Sequence, residues 1–218
     1  MIVNYDYDVI VVGGGHAGVE ACLASAKLNK KTLLITLNFN MVANMPCNPS
    51  IGGSAKGIVV REIDALGGFM GKAADYDYLQ MKMLNTAKGV GVRCLRAQED
   101  KLRYPKYVQN HIKNSKNLDV LEDEVKGIIF ENDTIYGVIL SENRKIYARA
   151  VVLSTGTYMN SEIMVGHSKV SGGPDGEKPS VGLSDYLRNE MGLDLIRLKT
   201  GTPQRLAKEY IDFSKAEI

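Results

Sequence analysis

The sequence predicts an α/β fold whose parallel sheet is entered through a strand–turn–helix unit, and three observations predict it. Residues 7–12, YDVIVV, are a short run, β-branched and almost wholly apolar, as a strand buried on both faces of a parallel sheet requires. The run breaks at consecutive glycines, and Gly13, Gly15 and Gly18 stand on G-x-G-x-x-G spacing. From His16 the composition turns helical, with Val19, Leu23, Ala26 and Leu28 near one face. A glycine triplet alone is weak evidence; the strand before it, the helix after it and its place at the chain start together point to a dinucleotide fold.

Each glycine of that turn has a physical task. Gly13 lets the chain reverse sharply, Gly15 lets a pyrophosphate approach the backbone, and Gly18 lets the helix pack on the strand. Gly14, His16 and Ala17 complete the turn, GGGHAG, which opens the helix where unpaired N–H groups and the helix dipole favour an anion. After Lys31, Thr32–Thr36 reads as a second buried strand that closes the βαβ unit. One rule fails here. The acid that grips a ribose about 20 residues after the glycines is absent, and Thr36, Leu37 and Asn38 stand in its place.

Residues 39–53 form a loop rich in Asn, Pro and Gly, and from Ser54 a helix is expected whose Ile58, Val59, Ile63 and Leu66 repeat at helical spacing until Gly67 and Gly68 end it. Gly52, Gly53 and Ser54 thus make a second glycine-rich entry to a helix, suited to a phosphate or a flavin carbonyl. Cys47 lies just before it. A thiol near a helix N-terminus with Lys56 in the neighbourhood can act as a nucleophile; the alternative is a small buried filler.

Residues 75–103 carry Lys82, Lys88, Arg93, Arg96, Lys101 and Arg103 with Tyr76 and Tyr78 close by, a composition able to meet RNA phosphates and an unpaired base. Asp75, Asp77, Glu99 and Asp100 dilute that charge, and a solvated surface fits equally well. A helix is expected over residues 97–115, its acids in the first turn, with a start near Tyr104 or a kink at Pro105. Leu118–Glu122 reads as a strand returning to the sheet. Residues 124–131, 134–141 and 145–153 then form a three-stranded antiparallel meander, turning at Asn132-Asp133 and Glu142-Asn143.

The meander ends in VVLSTGT. A buried strand stopping at Thr155 and Gly156 is similar to the second nucleotide-contact segment of flavoproteins with two dinucleotide-binding domains, although a glycine ending a strand is more often a plain turn. Beyond residue 158 periodicity weakens into a Gly, Pro and polar loop. A helix over residues 181–191 follows, with Ser180 as N-cap and Gly192 after its end, then a strand over residues 195–198 and the segment Lys199-Thr200-Gly201-Thr202-Pro203. His167 has no second ligand at metal spacing and reads as a loop histidine. The organisation expected is a nucleotide-binding domain over residues 1–157 and the start of an inserted or substrate subdomain over residues 158–218.

Composition narrows the class. With 218 residues and 44% hydrophobic content the chain can bury one substantial core. No apolar run approaches the roughly 20 residues of a membrane span, and a signal peptide's basic start and apolar middle are absent. Cys22, Cys47 and Cys94 suit neither a zinc site nor a disulfide framework, so a reducing cytoplasm is expected. A net charge of +2 neither demands nor excludes a nucleic-acid partner.

Five separated blocks carry a resemblance: GGGHAG at 13–18, PCNPSIGGSAKG at 46–57, EIDALGG at 62–68, LNTAKGVGVRCLRAQ at 84–98 and LKTGTPQRL at 198–206. In order and in content they resemble the MnmG (GidA) family of flavoenzymes, which modify the wobble uridine of certain bacterial tRNAs; the match departs modestly before Cys47 and at Val90, where the family pattern has a proline. The resemblance implies a Rossmann-like FAD-binding domain, with FAD on residues 13–18 and further flavin contacts at Val125 and Ser180. It implies Cys47 in the chemistry, with Lys88 and Arg93 as candidates for the substrate or flavin pocket.

For the full-length family it implies transfer of a methylene carbon from methylene-tetrahydrofolate to uridine C5, with NADH reducing the flavin, an MnmE-type GTPase as partner, tRNA as substrate and a homodimer. Family members are much longer, so this chain is expected to be the N-terminal part and to lack parts needed for turnover. Two other readings stay open: a stand-alone FAD- or nucleotide-binding module without tRNA activity, and a TrmFO-type folate-dependent tRNA methyltransferase.

Overall fold

The computed structural model describes residues 3–201 and 206–215. In chain order the regular elements are β1 (Tyr7–Val12), α1 (His16–Lys27), β2 (Thr32–Thr36), β3 (Ser50–Gly52), α2 (Lys56–Ala65), α3 (Met70–Asp77), β4 (Tyr78–Leu84), β5 (Cys94–Glu99), α4 (Arg103–Lys113), β6 (Leu118–Glu122), β7 (Val125–Glu131), β8 (Thr134–Leu140), β9 (Lys145–Leu153), β10 (Glu162–Val165), β11 (Ser168–Ser171) and α5 (Leu183–Asn189). Six strands form the main sheet in the order β6-β2-β1-β9-β8-β7. β1 runs parallel to β2 and to β9, and β2 parallel to β6. β7, β8 and β9 are the antiparallel meander, so one long strand, β9, belongs to both parts. The turn at Asn132-Asp133 has positive φ at both residues, 48° and 60°, the mirror-image geometry that follows the twist of a tight hairpin.

Alternation along β1 and β2 divides the core into two layers. Val11 and Leu34 face one side, where Val19 and Cys22 of α1 and Tyr104, Val108 and Ile112 of α4 cover them. Ile10, Val12, Leu33 and Ile35 face the other, where Val125, Val138, Leu140 and the α5 residues Leu183 and Leu187 close over them. A smaller sheet, β3-β5-β4, stands apart from the main one.

Five expectations are corrected. Residues 97–99 belong to β5, not to a helix: β5 is the central strand of the small sheet, and backbone pairing on both sides outweighs the helical composition. The helix begins at Arg103, so Pro105 falls in the first turn, where a missing N–H leaves no helical bond unmade. Asp100 precedes it and accepts hydrogen bonds from the amides of Leu102 and Arg103, which hold its carboxyl below the usual range.

Residues 50–52, expected within a loop, pair with β5 as β3, while the helix expected after them is present as α2 with its apolar repeat turned away from the core. Ile58, Val59 and Leu66 are 55%, 52% and 88% exposed, although Gly67, at φ +85°, ends the helix as expected. Ser180 is not the N-cap of α5; Gly182 holds that position at φ +102°. Residues 168–171, expected within the loop over residues 166–180, pair with residues 162–165 as the β10–β11 hairpin. Residues 195–198, expected as a strand, join no sheet among the described residues; Arg197 donates to the Asn160 carbonyl (3.0 Å), and Ile196 and Leu198 point into solvent. Thr202 and Pro203 of the final motif lie outside the described residues.

Candidate dinucleotide site

The carboxyl ends of β1, β2, β6 and β9 open on one edge of the sheet, where open α/β sheets hold their ligands. Three strand ends meet at the glycine turn. The Gly13 amide donates to the Ile35 carbonyl (2.8 Å), the Ser154 amide to the Val12 carbonyl (2.8 Å), and Ser154 Oγ to the carbonyls of Val12 (3.0 Å) and Gly13 (3.1 Å). Gly13 sits at φ +103°, and a Cβ there would overlap the Ser154 carbonyl. A Cβ on Gly14 would lie 2.6 Å from the Val42 methyl. On Gly18 it would overlap the Gly13 carbonyl and come within 2.7 Å of Ser154 Oγ, so α1 can lie against β1 only because residue 18 has no side chain.

Gly15 differs. No atom lies within 4 Å of a Cβ built on it, and its φ of −69° strains no L residue. Among the described residues the amides of Gly15, His16 and Ala17 donate to no protein acceptor. The turn is therefore rigid on the protein side and open, with unpaired donors at a helix N-terminus, on the other, a cradle that a pyrophosphate fits. His16 adds no cation to it: burial, with a smaller contribution from the Lys56 charge, pushes the imidazole down to about 4. Its Nε2 is buried without a hydrogen-bond partner among the described residues, and its ring lies 5.7 Å from that of Tyr104.

At the end of β2 the ribose-gripping acid is indeed missing, but two carboxylates arrive from elsewhere in the chain. Glu122, ending β6, accepts from the Phe39 amide, and Glu177 accepts from Asn38 Nδ2 (3.2 Å). Asp175, on the same returning segment, accepts from Asn44 Nδ2 (2.9 Å) and pairs with Lys101 (3.1 Å), so residues 173–178 arch over the loop that follows β2.

The remaining predicted residues divide between this edge and other places. Gly156, at φ +59° with nothing within 4 Å of its Cβ position, and Thr155 follow β9 directly beside the glycine turn. Val125 begins β7 just past the end of β6, and its side chain belongs to the second core layer. Ser180 is buried; its amide donates to Tyr158 and its carbonyl accepts from Asn160, fixing the segment that returns to α5.

Gly52, at φ +116°, is required by packing, since a Cβ would overlap the Leu95 carbonyl, whereas Gly53 faces open space. Lys56 Nζ donates to the Ser50 carbonyl (3.1 Å). Cys47 is exposed and not in a disulfide, which removes the buried-filler alternative. Arg93 donates to the Thr86 carbonyl (3.2 Å) and lines a cavity of about 190 Å³ between α2, α3 and the small sheet, with Ile58, Asp64, Met81 and Leu95; Lys88 and Cys47 lie outside that lining, Lys88 in an exposed turn. Among the described residues no three His, Cys, Asp or Glu side chains are placed to hold a metal ion.

The profile of the glucose inhibited division protein A (GidA) family matches residues 8–218. The chain belongs to this family. It is 54% identical over 209 residues to the tRNA uridine 5-carboxymethylaminomethyl modification enzyme MnmG of Acholeplasma laidlawii and 55% identical over 212 residues to that of Geobacillus thermodenitrificans, covering 96% and 97% of this chain and 34% of each relative. The Aquifex aeolicus GidA structure superposes with a TM-score of 0.92 at 49% identity, over 100% of this chain and 36% of that one. The chain thus spans about a third of the length of the relatives it matches, and its fold is the Rossmann-type α/β fold of GidA. A GidA-related protein from Thermus thermophilus, 17% identical with a TM-score of 0.60, shares the fold.

One feature of this GidA-family chain is visible only in the structure. Asp77 and Glu99 are 3% and 1% exposed, and among the described residues the oxygens of both lack aligned hydrogen-bond donors, although Arg103 Nη2 lies 3.0 Å from Asp77. Burial, then the charges of Asp77 and Asp75, push Glu99 up to about 7. The sequence holds a signal only in retrospect: alternation through residues 94–99 puts Glu99 on the inward face once that stretch is read as a strand.

Proposed function

We propose that the chain is the FAD-binding N-terminal portion of a tRNA wobble-uridine C5-modifying flavoenzyme. The observation that carries the reading is the open cradle at Gly15, backed by unpaired amides at the start of α1 in a chain that belongs to the GidA family. In this reading the amides of Gly15, His16 and Ala17 receive the pyrophosphate, Glu122 or Glu177 takes the ribose hydroxyls, and Gly156 and the backbone at Val125 border the cofactor. Ser180 acts by holding its segment in place. FAD when bound supplies the redox chemistry; the chain supplies the binding surface, the exposed thiol of Cys47 as nucleophile, and Arg93 and Lys88 as cations toward the substrate.

In the longer proteins of the family the same reading assigns methylene-tetrahydrofolate as carbon donor, NADH as reductant, an MnmE-type GTPase as partner, tRNA as substrate and a cytoplasmic homodimer. Residues 1–157 serve the cofactor and residues 158–218 begin the substrate-facing part. The family match favours this reading over a TrmFO-type methyltransferase. Two measurements test it. The purified chain titrated with FAD should quench flavin fluorescence saturably and turn yellow after gel filtration, and absence of binding overturns the cofactor assignment. The gene, joined to the remaining two thirds of a relative, should restore wobble-uridine modification in cells lacking the enzyme; failure with FAD binding intact leaves a flavin module without the tRNA task.

A further inference from the structure

Four aromatic rings form a column across the seam between α3 and α4. His111 stacks on Phe69 at 3.8 Å and 9°, Phe69 on Tyr107 at 5.7 Å and 15°, and Tyr107 on Tyr76 at 4.0 Å and 13°. Helical spacing builds the column: Tyr107 and His111 are one turn apart on α4, and Tyr76 lies two turns beyond Phe69, the N-cap of α3. Phe69 is buried, yet both ends reach solvent, with His111 exposed and Tyr76 keeping 62% of its surface open. Helix packing alone accounts for Phe69 and Tyr107. It does not account for a tyrosine laid flat on the column with its outer face in water.

Cations frame the same surface. Residues 101–118 contain Lys101, Arg103, Lys106, Lys113 and Lys116 and no Asp or Glu. Arg103 stands one turn before Tyr107, and Lys72 one turn before Tyr76, close enough to His111 to help lower its pKa, second to burial. The acids nearby are Asp77, paired with Arg103, Asp75, and Glu20, which accepts from the Phe69 and Met70 amides; Lys101, engaged by Asp175, and Lys113, over the Phe39 ring, are not counted. Exposed rings flanked by Lys72 and Lys106, which form no ion pair among the described residues, and by Arg103, whose guanidinium stays 65% exposed while paired with Asp77, suit a polyanion that carries flat rings of its own, and base stacking requires bases that are not already paired.

We propose that the joined surface of α3 and α4, with Tyr76 as its outer ring and Lys72, Arg103 and Lys106 beside it, is a landing site for an unpaired segment of RNA. This rests on the tRNA reading above and adds to it the surface used and the kind of RNA segment taken. Tyr76 stacks a base while the cations meet the flanking phosphates.

The test is fluorescence anisotropy of the whole chain with a fluorescein-labelled oligouridylate, an RNA duplex of equal length and an acidic polyglutamate peptide. Tyr76→Ala should weaken oligouridylate binding roughly tenfold, leave the duplex and FAD titrations unchanged, and be rescued by Tyr76→Phe. The pair Lys72→Gln and Lys106→Gln should lower the slope of log affinity against log salt by roughly 0.7 for each phosphate no longer neutralised. Tyr76 is exposed, so its variants keep the fold, which the FAD titration verifies. Oligouridylate binding that Tyr76→Ala leaves intact overturns the surface and leaves the tRNA reading standing. A parent chain that binds no oligouridylate, or prefers polyglutamate, also overturns it; the restoration of wobble-uridine modification then judges the tRNA reading separately.

Discussion

Adding one methyl group at each of two glycines of the same turn should have opposite consequences. At Gly18 the new Cβ would overlap the Gly13 carbonyl and crowd Ser154 Oγ at 2.7 Å, and both obstacles are pinned, one being backbone and the other bonded to Val12 and Gly13. The helix or the strand end must shift, at the roughly 1–3 kcal/mol typical of overpacking. At Gly15 the space is empty and φ is −69°, so Gly15→Ala clashes with nothing; the gain of roughly 0.4–1 kcal/mol through the unfolded chain is offset by alanine's poorer fit at the N-cap of α1, and stability should change by less than about 1 kcal/mol. The same methyl would stand where the pyrophosphate approaches, and FAD affinity should fall by an order of magnitude or more, about 1.4 kcal/mol per factor of ten. Urea unfolding followed by circular dichroism gives the stabilities, and flavin fluorescence gives the affinities. A Gly15→Ala protein that binds FAD like the parent refutes the cradle. Gly18→Ala with parental stability refutes the packing argument.

Three further outcomes follow from burial and charge. The carboxyl of Glu99 titrates near 7 in the fold against an ordinary 4.5, so the folded state binds the extra proton in that window: stability is fully present below about 4.5 and is lost as pH rises toward about 7. Glu99→Gln should flatten the decline in urea midpoint across that range, and curves that stay parallel would refute it. Cys47 should be the single thiol that reacts with a chromogenic disulfide in the native protein, because Cys94 is buried and Cys22 is buried, bonded to the Val19 carbonyl at 3.2 Å and pushed up to about 12; all three should react in urea. Ile112→Ala, at a fully buried position of α4, should cost about 2–5 kcal/mol, whereas Ile58→Ala on the exposed face of α2 should stay within about 0.5 kcal/mol, a contrast that denaturant midpoints measure directly.

The βαβ unit and the meander were legible because their signals are local. An apolar run of strand length, a glycine pattern with a steric reason at each position and turn residues tolerant of positive φ all act within a few residues. The same locality explains the errors. Residues 97–99 have a composition that a helix also accepts, and only the neighbours β3 and β4 make them a strand. The apolar repeat in α2 is real as a pattern, but a pattern cannot say whether anything packs against it. Ser180 has good capping chemistry, yet Gly182, two residues on, takes the position because the bonds to Tyr158 and Asn160 tie Ser180 to the preceding segment.

The site shows the same division. Sequence alone determined the glycine turn, its anion-seeking helix end and the absence of an acid after β2, since these depend on residue type and spacing along one stretch of chain. Tertiary structure alone decided that Gly15 opens on space while Gly13, Gly14 and Gly18 are enclosed, that Glu122 and Glu177 reach the end of β2, and that Tyr76 and Tyr107 complete one column. Each of those facts is a meeting of residues far apart in the chain, and the distance between two such groups is set by packing, which no single stretch of sequence encodes.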